Sequence, residues 1–326
     1  MSQDLLTIWT NAQLPENAAR LLADRVAPHR LVHAAEMSAS NLATSAGDSA
    51  LTEADVAFGQ PDVAQVMTSA KLRWVHLTSA GYTAYDREDL REALRARSAS
   101  LTNSSGVYDE PCAQHALAMM MALARQLPQA LQTQLTDHGW PIAQRRIESR
   151  LLVGQTAVIF GFGAIAQRLC ELLAPFRMNL IGVRRNVTGG EPVRMISEEW
   201  LDEYLPEADH IVNILPANAS TAKYFDAAKF NLMKPGAIFY NIGRGTTVDQ
   251  SALLDTLQAG KLSAAYLDVT DPEPLPPEHP LWIAPNCFIT PHTAGGFDLE
   301  FETLVEHFLE NLRRFTAGES LLNRVI

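Results

Sequence analysis

The 326-residue sequence predicts an α/β protein built of two doubly wound domains, each a parallel sheet covered by helices. Three observations carry this. Short β-forming runs alternate with helical stretches along nearly the whole chain. A glycine turn at 161–163 stands between a strand and a helix. Four later apolar runs each end on a polar or charged residue, at the edge where open α/β sheets build their sites.

Length and composition set the frame. Two domains of ordinary size fit 326 residues, and an apolar share of 47% is ample for two cores. A net charge of −11 speaks against nucleic acid or an anionic membrane surface as partner. Cys112, Cys170 and Cys287 are an odd, scattered set without metal-ligand spacing, so a reduced compartment is expected, with no disulfide framework and no metal site. Met1–Asp4 is polar and LLTIWT is too short for the apolar core of a secretory signal. Ala116–Ala124 falls far short of a membrane span. A cytoplasmic protein is expected.

In chain order, Leu5–Thr10 reads as a strand and Glu16–Ala27 as a helix. Residues 30–37, Ala54–Phe58, Leu72–Leu77 and Ser100–Thr102 then read as β-rich runs, giving a first parallel sheet of about five strands. The turns Gly59-Gln60-Pro61 and Ser79-Ala80-Gly81 fall at strand ends. Asn103–Gly106 is the expected first crossing between domains. Asp109-Glu110-Pro111 should start a long helix, with the acids and the proline in its first turn and the body from Ala113 to Leu127. Gln126–Gly154 is polar, contains Pro128 and Pro141, and reads either as a contact with a partner subunit or as a plain surface excursion.

The glycine turn comes next. Val158-Ile159-Phe160 meets Gly161-Phe162-Gly163, Ala166 closes a G-x-G-x-x-A pattern, and Leu169, Leu172 and Leu173 follow at helical spacing. Alone this is a glycine turn of any βα unit. Its strand–turn–helix context, with a second strand at Asn179–Val183, makes it a dinucleotide fingerprint. Gly161, Phe162, Gly163, Ala164 and Ile165 are then expected around a pyrophosphate at a helix N-terminus. After the second strand, where an NAD-selective site places an acid, stand Arg184 and Arg185. Paired arginines can be a solvated basic turn, but at this position they suit a 2′-phosphate, so NADP(H) is expected ahead of NAD(H).

Four strand ends follow. His210–Leu215 runs into Pro216-Ala217, and Ala237–Asn241 into Ile242-Gly243-Arg244-Gly245. Ala264–Leu267 runs into Asp268-Val269, and Cys287–Thr290 into Pro291-His292. Arg244, between glycines, offers a planar fork for a carboxylate. His292 has the near-neutral pKa type suited to proton exchange with a hydroxyl or carbonyl oxygen. Glu273, in Asp271-Pro272-Glu273-Pro274, can orient that imidazole. Each has a plainer reading as a loop cap, a solvated acid or a backbone partner. Their joint placement beside a dinucleotide fold favours chemistry.

These residues also carry a resemblance. Asn241–Gly245 with Val248-Asp249 and Ala252-Leu253, then Leu267–Val269, Glu273-Pro274-Leu275 and Pro291–Gly295, resemble the D-isomer-specific 2-hydroxyacid dehydrogenases, in particular their glyoxylate/hydroxypyruvate reductase branch. The likeness covers essentially the whole chain and is dense from Leu152 onward. It implies a Rossmann NADP(H) domain over 104–290 and a flavodoxin-like substrate domain over 1–103 and 291–326, with a cleft between them, and a homodimer. It implies reduction of a small 2-oxo acid such as glyoxylate or hydroxypyruvate to the D-2-hydroxy acid by NADPH. Arg244 matches the carboxylate-binding arginine, Glu273 the histidine-supporting glutamate and His292 the acid/base histidine. Ser79, Ala80 and Gly81 match a loop whose amides hold the substrate carboxylate. Leu215, Pro216 and Asp268 match positions on the nicotinamide side, and Ile242 and His292 are also expected to bind the cofactor.

Departures sharpen the reading. Arg184 replaces the family's commoner Asp. Gln114 stands where many members have Glu, without an evident consequence. Glu273 stands where the formate dehydrogenase branch has Gln, which argues against formate. The segment after the last helix is short, so the extra regulatory domain of some phosphoglycerate dehydrogenases is not expected. The rival from another class is a nucleotide sensor like the C-terminal-binding corepressors, which keep the triad. The absence of a basic region and of disordered extensions weighs against it. An NAD-dependent dehydrogenase is the nearer alternative. A zinc alcohol dehydrogenase fails for want of a Cys/His ligand set. Contacts to the substrate's side chain are expected from first-domain loops such as Phe58-Gly59-Gln60 and Gly81-Tyr82 and from the region around Trp282 and Phe297, with Trp282 reading equally as packing.

Overall fold

The computed structural model describes residues 5–37, 41, 44–185, 187 and 189–326; the polar Met1–Asp4 start lies outside them. The chain divides into two compact units, Met1–Tyr108 with Phe297–Ile326, and Asp109–Gly296.

The first unit is a five-stranded parallel sheet of β1 (Thr7–Thr10), β2 (Arg30–His33), β3 (Val56–Gly59), β4 (Trp74–Leu77) and β5 (Ser100–Thr102). Its order is β2-β1-β3-β4-β5, the flavodoxin-like winding. The central strands VAFG and WVHL are buried at every residue, as a parallel sheet covered on both faces requires. One face packs on Leu51, Leu90 and Leu94. On the other, the helix Glu300–Ala317 lays Phe308 against Phe58 and Trp74, with ring centroids 4.3 and 5.4 Å apart. The chain's last residues close the edge at β5: Val325 N–H donates to Leu101 O at 2.8 Å and Leu101 N–H to Ile326 O at 3.1 Å.

The second unit holds β6 (Thr156–Phe160), β7 (Asn179–Val183), β8 (Arg194–Ile196), β9 (His210–Asn213), β10 (Ile238–Asn241), β11 (Ala264–Leu267) and β12 (Cys287–Ile289). All pair parallel in the order β12-β11-β10-β9-β6-β7-β8. Counted from β6 this is the Rossmann order 3-2-1-4-5-6 with a seventh strand added, and the winding reverses between β6 and β9. Phe225, Phe230 and Phe239 fill one face, and Met120, Leu169, Tyr240 and Tyr266 the other.

One element departs from expectation. The long helix runs Ser105–Ala124, so Pro111 lies inside it rather than in its first turn. Asn103 caps the earlier start, accepting from Ser105 N–H at 3.3 Å and Ser105 Oγ at 2.9 Å. An interior proline costs about 3 kcal/mol, and burial of Ala113, Ala116, Met120 and Leu123 offsets it. Gln126, at φ +57°, separates this helix from Leu127–Thr136, and Ile142–Glu148 follows, so the 126–154 insertion is largely helical. Among the described residues no helix is long and apolar enough to cross a membrane.

Candidate active site

The glycine turn follows a strand whose last four residues are buried. Gly161 adopts φ +85°, and a Cβ there would meet the Ile214 carbonyl oxygen at 2.7 Å, so only glycine lets the loops after β6 and β9 pack together. At Gly163 a Cβ would have nothing within 4 Å. The helix Ala164–Leu173 starts there without a side-chain cap, leaving its first amides and its positive dipole end to a bound anion. Backbone, open space and dipole together fit a dinucleotide pyrophosphate. Phe162 turns its ring into the core, so its contribution to that turn is backbone alone.

Past β7, Arg184 and Arg185 are both exposed. Arg184 Nη1 lies 3.7 Å from Glu191 Oε1, and Arg185 donates to Ser220 Oγ. At the end of β9, Leu215 N–H donates to Asn213 Oδ1 at 3.1 Å, and Thr221 Oγ1 donates to Pro216 O at 2.6 Å. Ile242 is buried, its N–H on Asn213 O at 3.1 Å. A buried network ties these loops: Asn213 Nδ2 donates to Asn241 Oδ1 at 2.9 Å and to Thr247 Oγ1 at 2.7 Å. Asn213 and Thr247 escape a motif reading because their work is to hold backbone.

The loops after β10, β11 and β12 bring Arg244, Glu273 and His292 into one cluster. His292 Nδ1 lies 2.7 Å from Glu273 Oε2, and Glu273 Oε1 accepts from Thr270 N–H at 3.1 Å. Burial alone would raise the Glu273 carboxyl. The hydrogen bond and charge of His292, the Thr270 amide and Arg244 outweigh it and hold the carboxyl below its ordinary value. Arg244 is shifted down by burial, against the pull of Glu273. Its Nη1 donates to Gly243 O at 2.7 Å, and its carbonyl accepts from Thr247 Oγ1 at 2.6 Å. His292 adopts φ +52°, a left-handed backbone that a non-glycine residue keeps only where its surroundings impose it. Asp268 imposes it: its carbonyl accepts from His292 N–H at 2.8 Å, Oδ1 from Thr293 N–H at 2.9 Å and Oδ2 from Ala294 N–H at 3.0 Å.

In the first unit, the Ser79-Ala80-Gly81 turn follows β4, and its carbonyls are tied back one by one. Thr78 O accepts from Tyr108 OH at 3.1 Å, Ser79 O from Ser104 N–H at 3.0 Å, Ala80 O from Asn103 Nδ2 at 2.7 Å and Gly81 O from Ser79 Oγ at 2.6 Å. The N–H groups of Ser79, Ala80 and Gly81 have no acceptor among the described residues. Successive amides left open in a turn are the donors from which an anion-binding nest is made. Gln60 props the turn, its Nε2 donating to Thr78 Oγ1 at 3.1 Å and Ser79 Oγ at 3.0 Å, while Asn11 clasps the Gln60 backbone through two hydrogen bonds. Phe58, expected near a substrate, is instead a core residue stacked on Phe308. Trp282 is half-exposed with its indole N–H on Pro276 O at 2.9 Å.

An imidazole–carboxylate pair beside a guanidinium, on a sheet whose glycine turn fits a dinucleotide, is the equipment of oxidoreductases that move a hydride between a nicotinamide and a carbonyl carbon. Comparison narrows this. Residues 117–294 match the family model of the D-isomer specific 2-hydroxyacid dehydrogenase, NAD binding domain. The chain is 32% identical over 260 residues to the glyoxylate reductase/hydroxypyruvate reductase of Mus musculus, covering 77% of this chain and 76% of that protein. It is 31% identical over 267 residues to a glyoxylate reductase of Korarchaeum cryptofilum, covering 79% and 78%. It also superposes on the crystal structure of a D-isomer specific 2-hydroxyacid dehydrogenase family protein from Aeromonas salmonicida with TM-score 0.72 and 30% identity, covering 100% of this chain and 99% of that one. The chain belongs to the D-isomer-specific 2-hydroxyacid dehydrogenase family, and is an NAD(P)-dependent enzyme of it.

Proposed function

We propose that this protein reduces a small 2-oxo acid, glyoxylate or hydroxypyruvate being the leading candidates, to the D-2-hydroxy acid with NADPH. The observation that carries the reading is the His292–Glu273 pair beside Arg244 at the C-terminal edge of the dinucleotide sheet. NADPH, when bound, supplies the hydride to the keto carbon. Glu273 accepts from Nδ1–H of His292 and fixes the ring, leaving Nε2 to give its proton to the carbonyl oxygen as the alcohol forms. Arg244 offers the substrate carboxylate a guanidinium fork, and in the first unit the amides of Ser79, Ala80 and Gly81 offer backbone donors suited to a carboxylate. His292 is left neutral and regains a proton from solvent before the next turnover.

The amides opening the helix Ala164–Leu173 hold the pyrophosphate, and Leu215, Pro216, Ile242 and Asp268 flank the nicotinamide. Arg184 and Arg185 take the 2′-phosphate, for which Arg184 gives up its loose contact with Glu191. The test is NADPH oxidation against glyoxylate, hydroxypyruvate, pyruvate and a bulkier 2-oxo acid, repeated with NADH. We expect kcat/KM with NADPH to exceed that with NADH by about tenfold or more, and replacing both arginines by Ala to erase the difference. Equal use of NADH by the unaltered protein discards the cofactor preference. No turnover with either, despite NADPH binding, discards the reaction.

A homodimer belongs to the same proposal. The insertion exposes Leu135 and Ile147 on its helices and Trp140 between them, each more than four-fifths exposed, with Leu131 and Ile142 more than half exposed. Large apolar side chains exposed together in one insertion suit an interface, and we assign them to a second copy of the chain. Sedimentation should give a dimer, and Leu135→Asp with Ile147→Asp a monomer. A monomeric unaltered protein removes the assignment.

A further inference from the structure

A line of hydrogen bonds enters the catalytic cluster from a side the proposed chemistry does not use. It begins at His115, on the helix Ser105–Ala124, whose Nε2 is hydrogen-bonded to Tyr266 OH. Tyr266 is a fully buried residue of β11, and its hydroxyl lies 2.5 Å from Thr290 Oγ1. Thr290 Oγ1 donates to Asp268 Oδ1 at 2.6 Å. The line ends there, on the carboxylate that grips the amides of Thr293 and Ala294.

Its direction follows from donor counts. An ionised Asp268 only accepts, so Thr290 spends its single hydroxyl proton on Oδ1. Thr290 oxygen must then accept, and the one donor the structure gives it is Tyr266 OH. Tyr266 oxygen in turn accepts from Nε2–H of His115, which selects that tautomer. Three donors in series, each polarising the next, strengthen the final bond to the carboxylate.

We propose that Tyr266, with His115 behind it and Thr290 ahead of it, is a positioning residue for proton transfer at His292. The inference rests on His292 being the proton donor. The connection is mechanical. His292 keeps a left-handed backbone, φ +52°, because Asp268 holds the two amides that follow it and, through its own carbonyl, the His292 amide. Asp268 keeps both oxygens on those amides only while its side chain is fixed, and Thr290 is the side chain that fixes it. Without Tyr266 the Thr290 hydroxyl is free to rotate to another acceptor. Oδ1 then loses its aimed donor, and the 291–294 loop gains freedom where the imidazole must point accurately.

Tyr266→Phe deletes one hydroxyl in a site that otherwise stays filled. Thr290→Val breaks the line at the next link with shape retained, and Thr290→Ser keeps the hydroxyl. Kinetics, NADPH affinity by fluorescence titration and thermal melting are measured for all three, for the Tyr266→Phe/Thr290→Val double variant and for His292→Ala. Tyr266→Phe and Thr290→Val should each lower kcat about tenfold while KM, NADPH affinity and melting temperature hold, and Thr290→Ser should be near normal. The double variant should be no slower than Thr290→Val alone, since both cut one line. An unchanged kcat in Tyr266→Phe beside an inactive His292→Ala overturns this inference and leaves the proton donor in place. So does a kcat loss matched by equal losses in NADPH affinity or stability, or multiplied in the double variant. Near-normal turnover in His292→Ala overturns the assignment on which it rests.

Discussion

At the end of β4, in the first unit, the groups left without partners are amides, at Ser79, Ala80 and Gly81. At the ends of β10, β11 and β12, in the second, the groups gathered are a guanidinium, a carboxylate and an imidazole, each already hydrogen-bonded to a neighbour. Both units are parallel sheets with the same strand–helix grammar, and both place these polar groups at the carboxyl edge. The smaller presents backbone and uses side chains (Ser79, Asn103, Tyr108) to tie the opposing carbonyls back. The larger presents side chains and uses backbone to aim them. Groups that must gain or lose charge have to be side chains. A fixed anion hole can be built from peptide bonds.

The difference can be broken at its strongest point first. His292→Ala should lower kcat by about 10³-fold while NADPH still binds, because general acid catalysis is lost and the pyrophosphate turn is untouched. A fluorescence titration beside steady-state kinetics separates the two effects.

Next in size is a contrast in acid. Each unit buries a neutral imidazole: His76 in the first, shifted down by burial and then by His307, and His210 in the second, lowered by burial to about 4. His210 bonds to Tyr240 OH at 2.9 Å and to Gln155 Oε1 at 2.8 Å. The unfolded chain takes up a proton near the ordinary 6.5 and the folded chain does not. Stability present above that pH is therefore lost as pH falls toward about 4, by about 3 kcal/mol from His210. Urea midpoints measured across that range should fall, and His210→Gln should flatten the fall.

Arg244→Ala should cost about 2 kcal/mol, roughly thirtyfold in kcat/KM for the 2-oxo acid, and spare NADPH affinity. Parallel losses in both would make Arg244 a structural residue. The smallest effect belongs to the first unit's scaffolding. Gln60→Met keeps the volume but removes the donor that props Thr78 and Ser79, and should raise KM roughly fivefold, about 1 kcal/mol. A change in kcat with KM constant would place Gln60 elsewhere in the mechanism.

The same contrast explains what the sequence discloses. Arg244, Glu273, His292 and the Gly161–Gly163 turn are legible because their chemistry is in their side chains, or in having none, at motif spacing. The alternation of apolar runs and helices is likewise enough for two doubly wound sheets, since burial on both faces leaves little freedom in composition. Asn11, Asn213, Thr247 and Tyr266, and the bracing role of Gln60, are silent because most of their partners are distant in sequence and no local pattern records a hydrogen bond to a backbone 49 residues away, as between Asn11 and Gln60. The early start of the Ser105–Ala124 helix is hidden by Pro111, whose local preference for a first turn is overridden by packing and by the Asn103 cap.

The last helix carries a consequence for how the chain is made. The first unit is discontinuous in sequence: Phe58, Trp74 and His76 wait for Phe308, and the β5 edge waits for Val325 and Ile326. The second unit is one uninterrupted stretch. On the ribosome, the strands that emerge first are therefore the last to complete their core, while the intervening unit can fold as soon as it clears the exit. Until synthesis reaches that helix, the nascent chain carries an uncovered aromatic face, the kind of transiently exposed apolar surface that invites aggregation.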